Sequence, residues 1–228
     1  MSSSVKTSYW SHNARTSSIE GINFEKHSDE KFQQIFMHII TQSSKDNTYK
    51  FAFARFFLEY VENETKKEIS LKEIAKCFLK YYWPQICNSK LFQSAKDVQS
   101  IDEKGKPLIV KILHKEFPEP YYPQTFEKML IKEKKKMAKT IDAIEKECLK
   151  IVTFAFQRIK EGNKNLDLAP IFFAYKITGK KDSRPDQVYV DLDYGIILNP
   201  HAIDFLKRYN RLLKNTVILE WAKFLEPY

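Results

Sequence analysis

With 228 residues, the chain is long enough for one large domain or two small ones. Hydrophobic residues make up 43% and aromatics 14%, enough for a sizeable core, while only 5 glycines argue against extended glycine loops and sheet-rich architectures. The 38 basic residues exceed the 29 acidic ones, and the resulting net charge of +9 favours a polyanionic partner.

The opening residues, MSSSVKTSYWSHNARTSS, are polar and lack the apolar core of a signal peptide, and no apolar run reaches the length of a membrane span. Cys77, Cys87 and Cys148 are odd in number and widely spaced, with no Cys-x-x-Cys interval. They predict buried free thiols in a reducing compartment, so a cytoplasmic location and no membrane partner are expected.

Residues 1–27 are Ser-rich and carry little periodicity, which predicts a flexible arm in which Trp10 and Arg15 are the residues able to dock. Ser28 then opens a helix with Asp29 and Glu30 in its first turn and Phe32, Ile35, Phe36, Ile39 and Ile40 on one face. Asp46 or Asn47 is the predicted cap of the next helix, whose Tyr49, Phe53, Phe56, Phe57, Tyr60 and Val61 form a stripe wide enough for a central position. Ser70 and Glu73 have the spacing of a capping box, and the helix they open places Lys72, Lys76 and Lys80 on its outer face. Pro84 is expected to stop it near Trp83.

Residues 85–96 have no clear pattern. Pro107 suits the first position of a helix from Leu108 to about Lys115. PEPYYP, residues 118–123, is a rigid connector and the candidate subdivision of the fold. From about Gln124 to Lys160 apolar residues step by three, four and seven, with Gly162 as the stop. The pattern predicts one long helix, with a coiled-coil seam as the alternative, interrupted at Glu133. PIFFAYKI (170–177) and QVYVDLDYGIIL (187–198) read as short antiparallel strands around the loop GKKDSRPD. Asn199-Pro200 opens a further helix, and a last one is expected from Val217 to Leu225. The predicted fold is mainly α with a small antiparallel β hairpin or sheet near the C-terminal third (α+β), a single domain over 28–228 with winged-helix-like organisation as one reading.

Three basic sets are candidate phosphate contacts: Lys72, Lys76 and Lys80 on a helix, Lys180, Lys181 and Arg184 at a hairpin tip, and Lys207, Arg208 and Arg211 near the end. The run Lys132–Lys139 is the densest positive stretch, although its charges point around the helix. Each set is otherwise an ordinary solvated face. Asp186, Asp191 and Asp193 are the carboxylates a metal-dependent nuclease would need, but no Glu-x-Lys follows at a suitable interval. His12, His27, His38, His114 and His201 are scattered, and neither a nucleophile elbow nor a phosphate-binding glycine loop occurs.

The phrases NTYKFAFARFFLEYV, ISLKEIAKCFLKYYWPQI and AIDFLKRYNRLLKNTVILEWAKFLE resemble the N-terminal region of bacterial HNH endonuclease-domain proteins of restriction or defence type. The resemblance runs loosely from residue 46 to 226 and implies a helical, DNA-engaging region placed ahead of a nuclease module. The His and Asp-His positions of an HNH site have no counterpart here, so no catalytic residue carries over, no cofactor is expected in this chain, and a divalent metal would belong to the missing module. Such a chain is either the front of a longer nuclease or a stand-alone relative. The expected function is a DNA-binding recognition or regulatory module, with RNA as the alternative nucleic acid and a covalent or separate nuclease module as partner. Two rivals stand beside it: a helical interaction module that forms a homodimer through the 124–160 helix, and a metal-dependent nuclease using Asp186, Asp191 and Asp193.

Overall fold

Helices begin where the sequence supplies caps. A computed structural model describes residues 22, 24–42, 48–64, 66–99, 105–118, 123–161, 164–168, 170–178, 189–190 and 193–227, so most of the predicted arm, Trp10 and Arg15 included, lies outside the described residues. Helix α1, Asp29–Met37, starts at Ser28, whose hydroxyl accepts the Lys31 N–H at 3.3 Å. It continues through a π turn, His38–Gln42, and buries Phe32, Ile35, Phe36, Ile39 and Ile40.

Helix α2 spans Tyr49–Asn63, and Thr48 takes its N-cap position in place of Asp46 or Asn47. The Thr48 hydroxyl does not cap the helix. It is fully buried, lies 2.8 Å from the Tyr82 hydroxyl and donates to Gln93 Oε1 at 2.9 Å. Strand β1, Glu68–Ile69, leads into α3, Leu71–Tyr82. Ser70 Oγ accepts the Glu73 N–H and donates to the Glu73 carboxylate, both at 3.2 Å, so the predicted capping pair forms. The α-helix ends at Tyr82 with Trp83 as its C-cap, as expected at Pro84, but the chain stays helical in a different form. Pro84 sits in the first turn of a π segment, Trp83–Asn88, where its missing N–H and ring are tolerated. Short α4, Ala95–Gln99, and α5, Leu108–Glu116, follow. Pro107 offers no side-chain cap to α5, so the Ile109 N–H donates instead to the Tyr49 hydroxyl at 2.8 Å, 60 residues away.

The expected single helix over 124–160 is corrected. The stretch divides into α6, Phe126–Lys132, then α7, Lys134–Ala143, a π turn, Ile144–Leu149, and α8, Lys150–Phe156. The first break falls at Glu133, whose φ of −113° and ψ of 41° leave the helical region. Strand β2, Arg158–Glu161, then pairs antiparallel with β3, Lys164–Asp167, so the helix ends short of Lys160, and Gly162 lies outside the described residues. The cause is Gln157, which is fully buried. Its Oε1 accepts the N–H groups of Phe172 at 2.7 Å and Phe173 at 3.1 Å, and its Nε2 donates to the Phe173 carbonyl at 2.9 Å. A helix running through this residue would leave that amide without partners. The seam residues Met137, Ile141, Ile144 and Cys148 are buried in the chain's own core, which removes the coiled-coil alternative for this surface.

The two predicted β segments contain β4, Phe173–Tyr175, β5, Ile177–Thr178, β6, Tyr189–Val190, and β7, Ile196–Leu198. β5 pairs with β6, while β4 and β1 flank β7 in a three-stranded antiparallel sheet ordered β1-β7-β4. Gly195 has a φ of +65°, and a Cβ there would collide with the Ile69 carbonyl oxygen, so only glycine lets the chain entering β7 approach β1 this closely. Asn199 caps α9, Pro200–Arg208, by accepting the His201 N–H at 2.9 Å, with Pro200 in the first turn. Helix α10, Asn210–Leu225, starts seven residues earlier than expected, directly after a break at Tyr209.

These elements surround α2. Phe53 and Phe57 on its inner face meet Phe156 of α8 at 5.2 and 5.5 Å and Phe173 of β4 at 5.6 and 5.2 Å, while Phe78 of α3 lies 6.0 Å from Phe53. The chain is mainly α with a small antiparallel sheet.

Candidate nucleic-acid interface

The 3.6-residue period that buries Ile74, Phe78, Leu79 and Tyr82 leaves Lys72, Lys76 and Lys80 exposed on α3. The three are not equivalent. The Lys72 ammonium lies 2.7 Å from an Asp142 oxygen at the end of α7, and that hydrogen bond and charge push its pKa up. Lys72 therefore enters any phosphate contact already committed. Lys76 and Lys80 form no ion pair among the described residues.

Helix α7 and its π turn pack between α3 and α5, and the α5 side opens into a groove of about 410 Å³. Four lysines line it, Lys111, Lys115, Lys139 and Lys146, together with Glu116, Asp142 and Glu147. Two of those carboxylates are already engaged. Glu116, almost buried, receives Lys139 at 2.8 and 3.1 Å, and Asp142 receives Lys72. Lys115 and Lys146 remain exposed cations on the groove wall. Lys111 and Lys115 are one turn apart on α5, and Lys139 and Lys146 are seven residues apart, so both pairs share a helix face by spacing alone. That spacing was the available signal. It needed the packing of α5 against α7 to become a groove.

The run Lys132–Lys139 does spread around its helix. Lys136 stacks over the Phe117 ring at 4.6 Å, Lys139 turns to Glu116, and Lys134 and Lys135 face solvent. Lys180, Lys181 and Arg184 lie outside the described residues. Lys207 and Arg211 are exposed at the α9–α10 junction, a different place from α3. There Arg208 pairs with Asp29, and Asn210 donates to the Leu58 carbonyl at 2.6 Å. The structure thus joins Lys72 to the groove through Asp142, with Lys76 and Lys80 further along the same exposed stripe of α3, and sets Lys207 and Arg211 at the α9–α10 junction.

Of the carboxylates considered for a metal, Asp186 and Asp191 lie outside the described residues. Asp193 sits within electrostatic reach of Glu145, whose pKa is raised by burial and then by the charges of Asp142 and Asp193, against the pull of Lys72 and Lys146. Among the described residues no three His, Cys, Asp or Glu side chains gather as metal ligands. The thiols are not activated either: burial pushes Cys77 up to about 11, and Cys87 and Cys148 up to about 12, so all three stay protonated at neutral pH. Among the described residues no helix is long and apolar enough to cross a membrane.

This arrangement, a mainly helical body with a lysine-lined face, falls within a recognised family. The chain belongs to the family described as Domain of unknown function (DUF8808), which matches residues 28–228. No curated protein and no solved structure matches the chain.

Proposed function

We propose that this domain binds the phosphate backbone of nucleic acid, DNA first and RNA as the alternative, across the face formed by α3, α7 and α5. The observation that supports it is the state of the charges. Lys76, Lys80, Lys115 and Lys146 are exposed and form no ion pair among the described residues, while two of the three carboxylates that line the groove are already held by other lysines. Contacts of this kind fix a protein on nucleic acid without reading its sequence. The resemblance to the front of HNH-type restriction or defence nucleases fits a recognition or regulatory role in which cleavage, and any divalent metal, comes from a covalent or separate nuclease module. A cytoplasmic location accords with that role.

Fluorescence anisotropy with labelled duplex and single-stranded DNA and RNA, titrated at two salt concentrations, tests the reading. Affinity is expected to fall steeply with salt, because each neutralised phosphate releases counterions. Lys76→Glu/Lys80→Glu should weaken binding to every sequence and lower the salt slope by about 2. Absence of binding at low salt to all these probes, or binding indifferent to the double substitution, would overturn it.

A further inference from the structure

Helix α10 has two faces, and only one is used. Leu213, Val217 and Trp221 are buried towards α2, with the Trp221 ring stacked at 6.2 Å from Phe51. On the other side Leu212 is 58% exposed, Ile218 49% and Leu219 54%, with Asn215 and Ala222 also exposed between them. Leu212, Asn215, Leu219 and Ala222 step by three and four, the spacing of a helix–helix seam. Single exposed leucines are ordinary, but a seam on one helix is an interaction surface.

The charges around the seam indicate what covers it. Lys214 and Lys223, which flank it, are neutralised within the chain, by Glu62 at 2.7 Å and Glu220 at 2.9 Å. In a protein of net charge +9, this flank is therefore a place where two copies can meet without lysines opposing one another. Arg211 at the start of the helix and Glu226 just beyond its end are exposed and form no ion pair among the described residues. The helix spans 16 residues, about 24 Å.

We propose that two copies of this chain pair through α10, antiparallel about a two-fold axis passing between Ile218 and Leu219. That register brings Ile218 against Leu219 of the partner subunit and Asn215 against Ala222 of the partner subunit. It also sets Arg211 beside Glu226 of the partner subunit, once at each end. In this register the surface is self-complementary in charge, as an isologous contact requires. The pairing does not depend on nucleic acid, so it stands or falls apart from the proposed function.

Sedimentation velocity of the full chain at micromolar concentrations is the test, with circular dichroism confirming that each variant remains folded. The wild type is expected to be a dimer, and Leu212→Glu/Leu219→Glu a monomer. Arg211→Glu and Glu226→Arg should each weaken association by about tenfold, because the two-fold axis makes each change count twice, and the combined reversal should restore it. A wild type that stays monomeric would overturn the proposal, as would a dimer indifferent to Leu212→Glu/Leu219→Glu. Charge reversals that fail to rescue one another would reject the antiparallel register and with it the proposed pair.

Discussion

Glu59 shows how much a single side chain can couple. It sits on α2 between α3 and α10, accepts the Tyr81 hydroxyl at 2.6 Å and the Arg55 Nε–H at 2.8 Å, and Arg55 also lies 4.2 Å over the Tyr81 ring. Burial alone would raise its pKa, but the hydrogen bonds from Tyr81 and Arg55, with the charges of Arg55 and Lys214, hold it below the ordinary 4.5. A depressed carboxylate stabilises the fold above its unfolded pKa, and the contribution is lost as pH falls through its lower folded value. Glu59→Gln is therefore expected to cost about 1–2 kcal/mol at neutral pH. The gap to wild type should close in acid, where protonated Glu59 resembles glutamine, and urea melts at a series of pH values would show it. No local pattern announced this network. Arg55 and Glu59 are an ordinary i, i+4 pair in the sequence, and only the packing of the buried Tyr81 against them makes a half-buried hub. The same holds for Lys72: its partner Asp142 lies far along the chain, so its commitment was invisible in a stripe of three similar lysines.

At the scale of elements, what could be read was what is decided locally. Ser28, Ser70 and Asn199-Pro200 open their helices as expected, because a cap acts within four residues of itself. Ser70→Ala should destabilise the protein by about 1 kcal/mol, measured by chemical denaturation, whereas Ser70→Asp, which keeps an acceptor, should retain most of that stability. What could not be read was decided at a distance. The helical spacing through Ile151, Ala155 and Ile159 continues without interruption, yet the helix stops at Phe156 because the Gln157 amide is claimed by the backbone of Phe172 and Phe173. The two-residue strand β1 was likewise hidden in a charged turn, since it exists only when β7 lies beside it.

For the whole molecule, the aromatic density of residues 47–83 is a matter of core. Phe53 is fully buried and ringed by Phe57, Phe78, Phe156 and Phe173, which come from α2, α3, α8 and β4. Phe53→Ala should cost about 3–5 kcal/mol, read as a large fall in Tm, because neighbours from four elements cannot all relax into the space. The fold class was legible from this density and the late β segments. The candidate interface was only half legible. The lysines of α3 stood out by spacing, whereas the groove exists because α7 is wedged between α3 and α5, a relation that involves three separate parts of the chain.

The β1–β7 pairing also sets an order of assembly. Glu68 opposes Ile197, roughly 130 residues further on, and Ser70, which caps the lysine-bearing helix, follows directly from that strand. During synthesis α2 and α3 emerge well before β7, so the strand leading into α3 has no partner until roughly 130 further residues have been made. At about 5–20 residues per second that interval lasts on the order of ten seconds. For that time the helix that carries Lys76 and Lys80 lacks the strand pairing at its N-terminal end, which waits on β7.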